Sequence, residues 1–322
     1  MVKAMTFKAN TPAVALSTMV CATISDSKDW LTYFEELGNP ALELDFHIGD
    51  QQLLAILGEV ERGNISVASV HNCNPKFVGT PQRYNTGLAD LDPAARAVAI
   101  EDFKFSLELA ARCAVGFCVG PLGRIEPVIR EENRLRTLYR HARDSDEYRQ
   151  LQRFVISARA ERVEPHLDAL RDSLDRLAPI CERLGVKFVP ENRYEYGKLG
   201  LPEEIRALQA QYPSTLGYCH DFGHAMSVDC LGLWPDEDPL RPSLPVDIWH
   251  VNDFEVETLI DHLPLGQGDL EIDRVKEAVK SGGSVAVIEI RPHHEKSYIL
   301  EALDTVRSWL QQDGSRRDRP TL

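Results

Sequence analysis

Four apolar runs in the second half of the chain each end on a side chain able to hold a metal. Val186-Lys-Phe-Val-Pro-Glu191 ends on a carboxylate. Tyr218-Cys-His-Asp-Phe-Gly-His224 carries Asp221 just beyond its apolar start. Ile248-Trp-His250 ends on an imidazole, and Val285-Ala-Val-Ile-Glu289 on a second glutamate. Each run is short and β-like. One acid at a strand end is more often a helix N-cap or an ion-pair partner. Four in succession point to a site made of Glu191, Asp221, His250 and Glu289.

The remainder of the chain repeats the same strand-then-helix rhythm. Ala13 to Cys21 reads as a buried strand, and Ser25-Asp-Ser caps a helix that Gly38 ends. Ala41-Leu-Glu-Leu-Asp-Phe46 is a second strand, followed by a helix over Asp50 to Glu61. Ile65 to His71 is a third. A turn-rich loop spans Asn72 to Asp92, and a helix runs from Pro93 to about Ala114. Gly116 to Val119 is a fourth strand. Pro121 to Arg153 is polar, charged and too long for a tight connection, so it reads as an insertion with some helix. One long helix is expected over Ser157 to Leu184, stopped by Gly185. A helix opening at Leu201-Pro, strands over Thr215–Cys219 and Val246–Val251, and a loop carrying His262 follow. Helices over Glu271–Lys280 and Lys296–Gln311 flank a last strand, Ser284–Ile290.

Continuous apolar strands fit a parallel sheet covered on both faces. Eight such units in 322 residues fit a (β/α)8 TIM barrel of α/β class. The runner-up is an open doubly wound sheet, which would want a GxGxxG turn after its first strand, and none is present. A single domain over residues 1–322 is expected, with 121–153 inserted after strand four and 313–322 a flexible tail. In such a barrel the strand ends form the catalytic face, which is where the four candidate ligands fall.

Composition narrows the partners. A formal net charge of −14 argues against nucleic acid, which wants clustered lysine and arginine. Arg316, Arg317 and Arg319 make only a small basic terminus. Near Lys3 and Lys8 there is no apolar core of signal-peptide length, and no run is long enough to span a membrane. Seven cysteines without a CxxC pair read as reduced, buried small side chains of a cytoplasmic protein.

Three carboxylates and one imidazole suit a single divalent ion, Mn²⁺, Mg²⁺ or Co²⁺, with Zn²⁺ an alternative. A six-coordinate ion so held keeps two positions for adjacent oxygens of a sugar. It would acidify the C–H beside a carbonyl and stabilise an enediolate. Glu191 and Glu289, on opposite sides of the ring, could remove and return the proton. His224 is read as a substrate contact, with second-ligand and structural readings open; His71 is a weaker candidate of the same kind. His220 reads as core or a supporting residue. His47, His141, His166, His293 and His294 read as surface or loop residues. Asp253 and His262 are candidates for the rim or a second metal.

Taken together, Glu191-Asn192, Asp221-Phe-Gly-His224, His250-Val-Asn-Asp253, His262-Leu-Pro-Leu-Gly-Gln-Gly268 and Glu289-Ile-Arg291 resemble the xylose isomerase-like TIM barrel superfamily. That group joins sugar isomerases and epimerases to apurinic endonucleases of family 2 type. The likeness covers most of the chain and is strongest from strand five onward. It implies metal ligation by Glu191, Asp221, His250 and Glu289, acid–base work by the two glutamates and substrate contact by His224. The endonuclease branch departs: Phe117-Cys-Val-Gly120 lacks the histidine expected there, and Ile260 stands where an aspartate is expected, with Asp261 one place off. The ketohexose epimerases depart too, since their substrate glutamate and arginine positions hold Gly197 and Val256; Arg193, Glu195 or Arg291 are candidate substitutes. The resemblance implies an isomerase or epimerase of a sugar or polyol-derived ketone. A lyase, either an inosose or dehydroshikimate dehydratase or a C-glycoside-cleaving subunit, is the alternative, and a non-catalytic sugar-binding barrel is a third reading. A homo-oligomer is expected, and the need for a second subunit is left open.

Overall fold

The computed structural model describes residues 13–80 and 87–311, so Lys3, Lys8 and the 313–322 tail lie outside the described residues. Among the described residues, eight barrel strands alternate with helices and a two-stranded hairpin follows the seventh. They are β1 (Ala13–Ser17), α1 (Ser27–Glu36), β2 (Ala41–Leu44), α2 (Asp50–Glu61), β3 (Val67–His71), α3 (Pro93–Arg112) and β4 (Phe117–Gly120) in the first part. Then come α4 (Glu126–Ala142), α5 (Asp146–Ala160), α6 (Val163–Leu184), β5 (Lys187–Pro190), α7 (Pro202–Gln211), β6 (Cys219–Asp221) and α8 (Phe222–Cys230). The chain closes with β7 (Ile248–Val251), β8 (Asp253–Glu255), β9 (Ile260–Leu263), α9 (Ile272–Ser281), β10 (Val285–Ile288) and α10 (Lys296–Gln311).

Eight of the strands run parallel in the order β5-β4-β3-β2-β1-β10-β7-β6. Single parallel bridges, Phe188 to Leu216 and Glu191 to Cys219, join the two ends into a nearly closed ring. This is a TIM barrel. Strand parity explains why the sequence shows unbroken apolar runs. Leu16, Leu42, Leu44, Val70, Phe188, Trp249 and Ile288 face out under the helices. Ala15, Val119, Val189, Cys219, Ile248, Val285 and Val287 face in and fill the ring. Both strand faces are buried, as a parallel sheet requires.

Local signals end the elements where physics demands. Asp92 caps α3, its side chain accepting from Ala94 N at 3.0 Å, with Pro93 in the first turn. Gly185 ends α6 at φ +67°, a left-handed conformation that favours glycine. No helix among the described residues is long and apolar enough to cross a membrane. Six of the seven cysteines are buried, and all seven are free thiols.

Three expectations are corrected. The strand expected through Cys21 stops at Ser17 and turns into a 3-10 segment, Thr18–Cys21. The long helix expected over Ser157–Leu184 is two helices, broken at Glu161 and Arg162. Tertiary bonds override helical periodicity there: buried Arg159 reaches Tyr196 O (2.7 Å) and Lys198 O (3.1 Å) and pairs with Glu204. The loop expected to carry His262 is an antiparallel hairpin, β8 with β9. Residues 121–153 form most of a helical pair, α4 and α5, clamped to the β5–α7 loop. Fully buried Glu132 accepts from Gly197 N at 2.8 Å and pairs with Arg136, which also bonds Tyr194 O.

Candidate metal centre

At the C-terminal mouth of the ring, Glu191, Asp221, His250 and Glu289 converge. Glu191 and Glu289 directly follow β5 and β10, Asp221 ends β6 and His250 is the third residue of β7, each one pleat beyond an inward apolar residue. All four are buried. One donor atom from each lies within 4.8 Å of the other three. His250 Nδ1 is 2.7 Å from Glu289 Oε2, 2.9 Å from Glu191 Oε1 and 3.8 Å from Asp221 Oδ2. A six-coordinate ion with bonds of about 2.1 Å holds neighbouring donors about 3 Å apart and opposite ones about 4.2 Å apart, so this set fits a divalent cation. Glu289 Oε2 is buried and takes no well-aligned hydrogen bond from the histidines beside it, which fits the same reading.

The supports are local. Asp221 Oδ1 caps α8 by accepting from His224 N at 2.7 Å, which leaves Oδ2 facing the site. Asn252 Nδ2 donates to that Oδ2 at 3.0 Å. Asn192 pairs with the Asp221 backbone in both directions, at 2.8 and 2.9 Å. Gly223 is required by proximity: a Cβ there would meet Asn252 Oδ1 at 2.3 Å.

Flanking groups crowd the four. His71 Nε2 lies 3.4 Å from Glu191 Oε2. His224 donates Nδ1–H to Asn192 O at 3.0 Å, with Nδ1 also 3.5 Å from Glu191 Oε1 and Nε2 3.9 Å from Asp261 Oδ2. His262 Nε2 is 3.4 Å from Glu289 Oε2 and 3.7 Å from Asp221 Oδ2, and its Nδ1 is 3.0 Å from Asp261. Asp221, His224 and His262 form a second convergent donor group. The His262 backbone sits at φ +56°, an uncommon conformation for a side-chain-bearing residue, and Arg291 N holds its carbonyl at 3.0 Å. Arg193 bonds Glu191, and Arg291 bonds Asp261.

Charge is arranged in opposition. Burial would raise the Glu191 carboxyl, but Arg193, His224 and His250 outweigh it and hold it well below the usual carboxylate range. Glu289 is likewise lowered against its burial by His250 and His262. Asp221 is raised by burial, which His224 and His262 offset in part while Glu191 and Glu289 reinforce it. Burial opposes protonation of His250 and His262, yet both are raised well above an ordinary histidine. For His250 the neighbours responsible are Cys219, Glu289 and Glu43; for His262 they are Asp261 and Glu289. The three carboxylates thus favour positive charge beside them, whether an imidazolium or a cation.

A family model described as "Xylose isomerase-like TIM barrel" matches residues 31–311. The chain belongs to that family. No curated protein matches its sequence. Among solved structures, this xylose isomerase-like barrel is similar to a D-tagatose 3-epimerase-like protein (16% identity, 93% of this chain and 97% of that one covered, TM-score 0.62). It is also similar to the apo form of a 3-keto-D-glucoside 4-epimerase from E. coli (12%, 92% and 99%, 0.60). The IolI protein with a bound zinc atom is a third (16%, 92% and 96%, 0.55).

The geometry of the family barrel brings His71, His224, His262 and Arg193 to the mouth, while Arg291 reaches it only through Asp261. Asp253 is different. Its carboxylate accepts three backbone N–H groups, from Phe254 (2.8 Å), Gly266 (2.8 Å) and Leu270 (3.1 Å), so it orders the loop after β9 rather than facing the donors. His220 is a core residue: Tyr218 O–H donates to Nδ1 at 2.8 Å and Nε2–H donates to Pro239 O at 2.9 Å. Burial pushes its pKa down to about 3. His47, read as an ordinary loop residue, follows β2 and stands 2.5 Å from Asp45, with Phe46 between its ring and His71. Glu43 was not singled out, though it lies fully buried against His250; the signal was an acid at an inward position of an otherwise apolar strand.

Proposed function

We propose that the chain is a divalent-metal-dependent isomerase or epimerase acting on a small sugar or polyol-derived ketone. The convergence of Glu191, Asp221, His250 and Glu289 on one point carries the reading. The oxygen-rich set suits Mn²⁺, Mg²⁺ or Co²⁺, with Zn²⁺ an alternative that the zinc in the IolI structure supports. A cation held there supplies Lewis acidity to a carbonyl oxygen.

The residues of the chain do the remainder. Glu191 and Glu289 come from β5 and β10, which have β6 and β7 between them on one side of the ring, so their carboxylates approach a substrate from well-separated directions. One takes the proton next to the carbonyl and the other returns it. Arg193, beside Glu191, keeps that carboxylate ionised. His224, anchored through Nδ1 to Asn192 O, offers Nε2 to a substrate oxygen. The α4–α5 pair holds the loop bearing Arg193 and Tyr194, and so sets which substrates enter. A nucleic-acid substrate is not part of this reading, since β4 brings no histidine and the net charge is −14. The cell compartment proposed is the cytoplasm, and the assembly a homo-oligomer.

Solvent exchange tests this. The metal-loaded protein in D₂O, given a panel of ketoses and inososes, should place deuterium at the carbon beside the carbonyl of at least one of them. A fully loaded protein that exchanges none would overturn the reading.

A further inference from the structure

Under the proposed centre lies a second line of buried polar groups, on the strands that supply no ligand. Glu43 sits on the inward face of β2, in register with Ser17 of β1 and Ser69 of β3. All three are fully buried. A carboxylate taken so far from water is costly unless it is paired and hydrogen-bonded. Ser69 Oγ donates to Glu43 Oε2 at 2.6 Å. Glu43 Oε1 makes no hydrogen bond, and it stands 3.1 Å from His250 Nε2, which makes none either.

We infer that Glu43 is a positioning residue for His250, fixing which ring nitrogen is offered to the metal. The inference rests on the metal-centre reading above. The ring has two edges with different surroundings. Nδ1 faces Glu289, Glu191 and Asp221, the other three donors. Nε2 faces Glu43 alone among the carboxylates. An imidazole that gives its Nδ1 lone pair to a cation carries its proton on Nε2, and a buried carboxylate is the strongest acceptor for that proton. The ring's other neighbour is the buried Cys219 thiol, a weak acceptor that competes poorly. Ser69 holds the second oxygen of Glu43, so its carboxylate cannot swing away. The strands β2 and β3 thereby take part in a centre whose ligands all come from β5 onward.

The full chain, labelled with ¹⁵N and loaded with zinc, tests this through the side-chain nitrogen resonances of His250, assigned by comparison with His250→Gln. Nε2 should carry the proton and Nδ1 should show the metal-bound shift; the reverse pattern overturns the inference. Chelator competition supplies a second measure. Glu43→Ala should weaken zinc binding by about 10- to 100-fold. Glu43→Gln, which keeps an acceptor oxygen, should lose less and retain the same protonated nitrogen. Unchanged affinity in both variants overturns the inference and leaves the metal centre standing. If neither variant folds, the resonances of the unaltered protein still decide. An unaltered protein that retains no metal removes the centre itself and this role of Glu43 with it.

Discussion

The barrel interior has two layers built by the same strands, and they could hardly differ more. The lower one, on the four strands that lead to the site, is Val189, Cys219, Ile248 and Val287, which pack in an apolar plug with Ala15, Val119 and Val285. Two residues further along those four strands stand Glu191, Asp221, His250 and Glu289. The rise between the layers is about 6.6 Å, one pleat of a parallel strand. Backbone geometry is the same in both; only residue identity changes. These apolar positions gain stability from burial, and a charge placed there without a partner would be costly. The upper layer gathers three carboxylates whose repulsion no single neighbour cancels. Stability and chemistry are thus separated along the strand axis, as a barrel with its site at the strand C-termini requires.

That separation can be broken from either side. The largest effect should follow Glu289→Gln in the upper layer. Metal affinity should fall by more than the roughly 100-fold that loss of a supporting residue produces, while circular dichroism stays that of the folded chain. Retained affinity would remove Glu289 from the ligand set. In the lower layer, Ile248→Ala should cost about 2–5 kcal/mol of stability, read from the urea midpoint, and leave metal stoichiometry unchanged. Loss of metal without loss of stability there would show that the layers are not separate.

A third test uses protons. His250 and His262 are raised well above ordinary histidines, which favours their protonated forms in the metal-free protein. A ligand nitrogen must be bare, so taking up an ion should release about one proton per ion near pH 7. Calorimetry in two buffers of different ionisation enthalpy measures this. Affinity should rise with pH through the range where His250 deprotonates; pH-independent binding would mean that His250 is not a ligand. The smallest effect should come from Asn252→Ala, which removes one hydrogen bond to Asp221 Oδ2. A loss of roughly 10-fold or less in metal affinity is expected by chelator competition, and a larger one would move Asn252 closer to the centre of the account.

Much of this was legible because period and position coincide. Each of the four donors stands at or near the end of an apolar run, and in a parallel barrel the end of a run is the mouth of the ring. Glu43 was harder. It sits mid-strand in Ala41-Leu-Glu-Leu-Asp-Phe46, where an acid looks like an interruption, and only the register with Ser69 and the distance to His250 give it a partner. The α8 helix leaves little trace in the sequence because Phe222–Cys230 is buried on nearly every side, without the alternation that marks a surface helix. The β8–β9 hairpin was read as loop because its strands are three and four residues long and its turn carries none of the usual Asn-Gly chemistry. Its ordering comes from afar, through Asp253 and the backbone of residues 266 and 270.

The most direct test of the central claim is elemental analysis of the purified chain after removal of metal and reconstitution with Mn, Co, Mg and Zn in turn. The four converging donors predict about one tightly held divalent ion per chain for at least one of these metals. Retention of none would contradict the account, because the four donors would then converge without the ion that their spacing fits.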